Sequence, residues 1–170
     1  MVSKKTFDEV INERFSCRSF TAERITTEEL NFILNAGRLA PTAKNKQPEK
    51  IVVVENEGLL EKLKEATPCT FESKTVLVVC YDKTKCWIRS NDAKPHGDID
   101  DTIVATHMML AATSIGIGST FVCAFDSEKT KQILDLPAEL EPTCMLPLGY
   151  PKEIKPHNTR LDLEDIVIYK

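Results

Sequence analysis

The 170-residue sequence contains no apolar run near the roughly 20 residues that a membrane-spanning helix needs. Its start, Met1-Val2-Ser3-Lys4-Lys5-Thr6, lacks the apolar core of a signal peptide, so a cytoplasmic location is expected. An excess of positive charge is also missing. The formal net charge is −4 and the pI is near 5.5, which leaves no basic field for a polyanion and argues against nucleic acid as a partner. The six cysteines, at 17, 69, 80, 86, 123 and 144, form no Cys-x-x-Cys pair and no metal-finger spacing. Cys80 and Cys144 lie in apolar strand-like runs, as buried free thiols do, whereas Cys69 and Cys86 sit in polar surroundings open to a redox or metal role. The histidines offer no ligand set: His107 falls in an apolar helical pattern, and His96 and His157 fall in loops. Repeats, low-complexity segments and linkers are absent, and 42% hydrophobic residues suffice for one domain over residues 1–170.

What is present is a succession of short periodic segments. Phe7, Val10 and Ile11 recur at helical spacing. Thr27 is placed to cap a helix over residues 28 to 39 with Leu30, Ile33, Leu34 and Leu39 on its apolar face, and Pro41 ends it. The runs Ile51-Val52-Val53-Val54 and Val76-Leu77-Val78-Val79-Cys80-Tyr81 predict central strands covered on both faces, with a short helix near 59 to 63 between them. Residues 99 to 115 are apolar around the whole helical circumference, which predicts a buried central helix or a dimer core. Strands are expected at 119 to 123 and 143 to 148 and a helix at 128 to 134. A last strand at 166 to 169 would have no downstream neighbour, and a second subunit could pair with it.

Gly116 and Gly118 follow a helix rather than a strand and lack the third glycine of a dinucleotide fingerprint, so a helix C-terminal turn is expected there. Without a glycine-rich strand-to-helix turn, an α+β sandwich is preferred over a doubly wound sheet. Asp98, Asp100 and Asp101 precede the central helix, where complementing its dipole accounts for them. Trp87 lies in the polar segment 82 to 98, which either forms a flap over a substrate face or covers a core edge.

Two segments carry the chemistry. Arg14-Phe15-Ser16-Cys17-Arg18 puts two guanidinium groups and a hydroxyl within five residues, a set suited to a phosphate. Ala40-Pro41-Thr42-Ala43-Lys44-Asn45-Lys46-Gln47-Pro48 begins where a helix stops, and Asn45 can give a heterocycle edge both a donor and an acceptor. Together with Leu148-Gly149-Tyr150-Pro151 and a late Arg160, their order and spacing resemble the nitroreductase family of FMN-dependent oxidoreductases, in one of its short forms.

The resemblance implies a mixed, largely antiparallel sheet flanked by helices, in a homodimer whose interface holds FMN. It implies that Arg14 and Ser16 bind the FMN phosphate with Arg160 as a second anchor, that Lys155 is a weaker companion, and that Arg18 lies by the ribityl chain and pyrimidine edge. Phe15, basic in many relatives, would give only a backbone contact. Pro41, Thr42, Ala43 and Asn45 would reach the flavin bound chiefly by the other subunit, with Gln47 in support; Glu49 departs from the large aromatic residue common after Gln-Pro. In Val122-Cys123-Ala124-Phe125-Asp126, a backbone N–H of Cys123 or Ala124 would point at N5, and Cys123 reads as a small residue packed by the ring rather than a nucleophile.

No side chain need act as acid or base, since flavin N5 itself takes and gives the hydride. The expected activity is reduction of nitroaromatics, quinones or similar flat acceptors by NAD(P)H in a ping-pong cycle, over an open pocket with no extended lid. The alternatives are an FMN-binding sensing or storage module, or another flavin reaction on the same fold. 

Overall fold

Residues 5–155 and 159–170 are described in a computed structural model of the chain. Four helices start on a side-chain cap. In α1 (Phe7–Glu13) and α2 (Thr27–Arg38), Thr6 with Glu9 and Thr26 with Glu29 form complete capping boxes, so the cap of α2 lies one residue before the predicted cap at Thr27. Asn56 caps α3 (Glu57–Leu63) and Asp126 caps α5 (Ser127–Leu134). Helix α4 (Gly97–Ser114) is the long apolar helix, and α6 (Leu163–Ile166) is a single turn.

Strands β1 (Glu49–Val54), β2 (Thr75–Asp82), β3 (Gly118–Ser119) and β4 (Leu140–Gly149) form an antiparallel sheet in the order β1-β2-β4-β3. A parallel bridge between Ser16 and Ser119 adds the chain's N-terminal segment to its far side. The alternation of β2 divides the interior in two. Leu77 and Val79 face a cluster with Ile33 of α2 and Val104 and Met108 of α4. Val76, Val78 and Cys80 face Leu60 and Leu63 of α3, with Ile133 of α5 packed alongside. The result is the expected α+β arrangement, a largely antiparallel sheet with helices on both faces. Gly37 sets the approach of α2 to α4, since a Cβ there would lie 2.8 Å from Met108 Cγ.

Three expectations need correction. Strand β2 is central and buried along its length, but β1 pairs only with β2 among the described residues and leaves Ile51, Val52 and Val53 half-buried. A β-branched run looks the same whether one face or two are covered. The strand expected at 119 to 123 is reduced to β3 plus a bridge from Val122 to Met145. The strand expected at 166 to 169 is replaced by α6 and an extended tail; no described strand adjoins it, and Ile168 and Tyr169 stay exposed.

Candidate functional site

Helix α1 stops at Glu13, and the chain then runs extended along β3. Cys17 N–H donates to Ser119 O at 2.9 Å, and the Thr120 hydroxyl donates back to Cys17 O. On the other side Thr21 N–H donates to Tyr150 O at 2.8 Å and Lys152 N–H to Ser19 O at 3.1 Å. The 14–21 segment is thereby stitched between β3 with Thr120 and the 150–152 segment. Phe15, Ser16, Arg18, Glu153 and Lys155 line a cavity of about 100 Å³ there.

Arg14 is half-buried at the end of α1. Burial, and then the positive charge of Arg160, hold its pKa below the ordinary arginine value. Arg160 therefore lies close enough for its charge to be felt, although residues 156–158, which include His157, fall outside the described chain. Among the described residues neither Arg14 nor Arg18 has a side-chain hydrogen bond or ion pair, whereas Lys155 pairs with Glu153 at 2.9 Å. The Ser119 hydroxyl, beside Ser16, is buried and has no hydrogen-bond partner among the described residues. An Arg14 guanidinium with no carboxylate among the described residues, a second positive charge close by, and a buried hydroxyl without a described partner suit a bound anion. Nothing in the sequence singled out Ser119.

The second segment is held at the opposite end of α4. After α2, Thr42 is extended and Ala43–Asn45 make one 3₁₀ turn. Lys44, Asn45 and Gln47 have φ of 56°, 53° and 48°, left-handed positions that cost non-glycine residues about 1 kcal/mol or more each. The surroundings hold them there. Ala43 N–H donates to Asp100 Oδ1 at 2.8 Å, Gln47 N–H to Thr42 Oγ1 at 3.1 Å, and Asp82 N–H to Pro48 O at 2.9 Å. Pro41, Asn45 and Gln47 are exposed, Thr42 and Ala43 are half-buried, and the Asn45 side-chain amide makes no hydrogen bond among the described residues. Asp100 stands in the first turn of α4 and Gly116 just beyond its last, about 24 Å apart at 1.5 Å per residue. One chain therefore brings Arg14, Phe15, Ser16 and Arg18 together with Arg160, but not with Pro41, Thr42, Ala43, Asn45 or Gln47.

Cys123 and Ala124 lie on an exposed turn after the Val122–Met145 bridge. Thr67 Oγ1 donates to Ala124 O at 2.6 Å, and Asp126 N–H to Ala66 O at 2.9 Å. The backbone N–H groups of Cys123 and Ala124 have no acceptor among the described residues, so either can donate outward. Cys123 is the one exposed cysteine. Burial raises the Cys17 and Cys144 thiols and pushes Cys80 to about 12, and Cys86 is buried as well. No described group of three His, Cys, Asp or Glu residues could hold a metal.

The acidic cluster is not simply a dipole complement. Asp98 is exposed, but Asp100 and Asp101 are 1% and 0% exposed. Burial pushes the Asp101 carboxyl to about 8, against a 2.7 Å hydrogen bond donated by Thr143 and with help from the charges of Asp98, Glu49 and Asp100. Sequence reasoning missed Asp100 as the support of the 41–47 segment, because the contact spans 57 positions. Nearby, Trp87 stacks on buried His96 with centroids 4.7 Å apart and planes 8° from parallel. His96 flanks the start of α4 rather than lying in an open loop, and Trp87 is half-buried against it.

Fold and site define an α+β protein with an arginine-bearing pocket at one sheet edge and a strained polar loop at the other end of its central helix. The chain belongs to the nitroreductase family, whose sequence model matches residues 11–76 and 68–150. A crystal structure of a nitroreductase family protein from Clostridium difficile 630 is 35% identical, covers 98% of this chain and 99% of its own, and superposes with a TM-score of 0.92. The NADH dehydrogenase of Thermus thermophilus is 25% identical over 190 residues, 93% of each chain. The FMN reductase (NAD(P)H) of Bacillus subtilis is 24% identical over 174 residues, 92% of this chain and 70% of its own. Among the described residues no helix is long and apolar enough to cross a membrane.

Proposed function

We propose that this chain is an FMN-dependent oxidoreductase that takes reducing equivalents from NAD(P)H and delivers them to flat, electron-poor acceptors such as nitroaromatics and quinones. The observation that carries the cofactor assignment is the half-buried Arg14 guanidinium, which has no carboxylate partner among the described residues and lies near Arg160, Ser16 and the Ser119 hydroxyl, itself without a described partner. These donors fit a phosphate monoester, and the family match and the named FMN reductase relative fit FMN.

When bound, FMN supplies hydride acceptance and donation at N5. The chain's own groups then bind and orient. Arg14, Ser16 and Arg160 hold the phosphate, and Phe15 offers its backbone. Arg18 places a cation by the pyrimidine edge, where it stabilises negative charge developing on reduction. Cys123 or Ala124 N–H gives a donor toward N5. Pro41, Thr42, Ala43, Asn45 and Gln47, held at the opposite end of α4 in the same chain, serve the cofactor of a second copy. Exposure of Phe7, Leu39, Ile99, Leu161, Leu163 and Ile168 agrees with a homodimer, since a lone chain would present this apolar surface to water. Donor and acceptor would share one open face in turn, which gives ping-pong kinetics.

The test is the visible spectrum of the protein reconstituted with FMN, followed anaerobically on addition of NADH and then NADPH. Bleaching of a bound flavin band is expected. A bound flavin that stays oxidised would favour a binding or sensing module, and no bound flavin would remove the proposal.

A further inference from the structure

The 41–47 loop holds three left-handed non-glycine residues, yet it has one fixed shape because it is gripped at both ends. Pro48 O accepts from the Asp82 N–H that closes β2, and Ala43 N–H donates to the carboxylate of Asp100. The second grip is unusual in its chemistry. Asp100 is 1% exposed, its Oδ2 has no hydrogen-bond partner among the described residues, and its next neighbour is the buried Asp101. A buried carboxylate facing another acid is costly, and the contact it makes is the one to the loop. Within the loop, Thr42 Oγ1 and the Gln47 side chain tie residues 42–47 to one another, so they cannot fix its position on the body. Asp100 does that from a rigid helix.

We propose that Asp100 is a positioning residue for the cofactor site: its carboxylate latches the 41–47 loop through Ala43 N–H and so presents Thr42, Ala43 and Asn45 to the FMN of the opposite protomer. The inference rests on the function proposed above. Asn at position 100 keeps an oxygen in reach of Ala43 N–H, whereas Ala leaves that N–H without its acceptor and frees the strained residues to relax. The latch therefore predicts an ordered series of wild type, Asp100→Asn and Asp100→Ala, whereas a charge effect would make the two variants alike.

The experiment measures FMN dissociation constants by flavin fluorescence for the three proteins, with the melting temperature of each as a check on folding. Exchange of the Ala43 amide is followed by NMR in wild-type protein. We expect a protected Ala43 amide in wild type, FMN binding weakened about tenfold or more in D100A, and binding largely restored in D100N. Rapid exchange of the Ala43 amide in wild type would overturn the latch, even if D100A fails to fold. Equal FMN affinity in folded D100A and wild type would also overturn it, as would D100N as weak as D100A. Wild-type protein that binds no FMN would instead overturn the proposed function, while the exchange measurement would still judge the contact.

Discussion

Gly118 leaves the space that Cys17 fills: a Cβ on Gly118 would lie 2.8 Å from both Cβ and Sγ of Cys17. Its partner across the sheet, Gly149, does the same for Phe20, whose ring would come within 3.0 Å of a Cβ there. Two paired glycines thus make the bed on which the 14–21 segment lies. The glycine of Leu148-Gly149-Tyr150-Pro151 is there for close approach rather than for a turn. Gly118→Ala should destabilise the protein by about 1–3 kcal/mol, as over-packing does, and weaken FMN binding because the anchored arginines shift. Urea denaturation and an FMN titration would check both; an alanine variant with unchanged affinity would mean that the cradle does not depend on this contact.

Arg14 separates the phosphate from the rest of the cofactor. Its side chain has no other described partner, so Arg14→Ala should leave stability within about 0.5 kcal/mol of wild type. FMN affinity should fall tenfold or more, the effect of losing a charge-assisted hydrogen bond, whereas riboflavin affinity should hold. Parallel titrations with the two flavins give the answer. An equal loss for both would place Arg14 elsewhere than on the phosphate.

Much of this was legible locally. Helix α5 was expected at 128 to 134 and spans Ser127–Leu134, and Gly116, with φ of 82° after α4, is the helix-ending glycine its position suggested. The proximity of Arg14 and Arg160 was expected only from the family resemblance, carried by the order and spacing of its blocks. What could not be read were relations between distant segments. The edge position of β1 depends on which strand it lacks, and the 166–169 run is strand-like only if another chain supplies the pairing. The roles of Ser119 and Asp100 depend on partners more than 50 positions away. Asp98, Asp100 and Asp101 look equivalent in sequence, but helical rotation sends two inward and leaves the first in water.

Cys123 is exposed while Cys17, Cys80, Cys86 and Cys144 are buried and Cys69 is half-buried. A thiol reagent at neutral pH should therefore label Cys123 first in the native protein, with the buried thiols reacting only on unfolding. If the 121–125 turn passes beside the flavin, saturating FMN should slow that labelling severalfold. Peptide mass mapping with and without FMN measures it, and an unprotected Cys123 would remove this turn from the site.

Asp101 gives the fold a pH dependence of unusual sign. Its folded pKa, about 8, stands above the ordinary Asp value of 3.8, so between these limits the folded protein holds a proton that the unfolded chain has released. The stability this contributes is fully present below about pH 4, is lost progressively as pH rises, and is gone above about 8. The loss amounts to about 1.4 kcal/mol per pH unit within that window. Most carboxylates act in the opposite direction. Asp101→Asn removes the titration and keeps an oxygen for the Thr143 hydroxyl, so the wild-type minus variant difference should fall with pH up to about 8 and then level off. Urea unfolding of both proteins at pH 5, 6, 7, 8 and 9 tests it. A difference that does not change with pH would show that Asp101 is already ionised in the fold, and that the interior at the start of α4 is more polar than its burial implies.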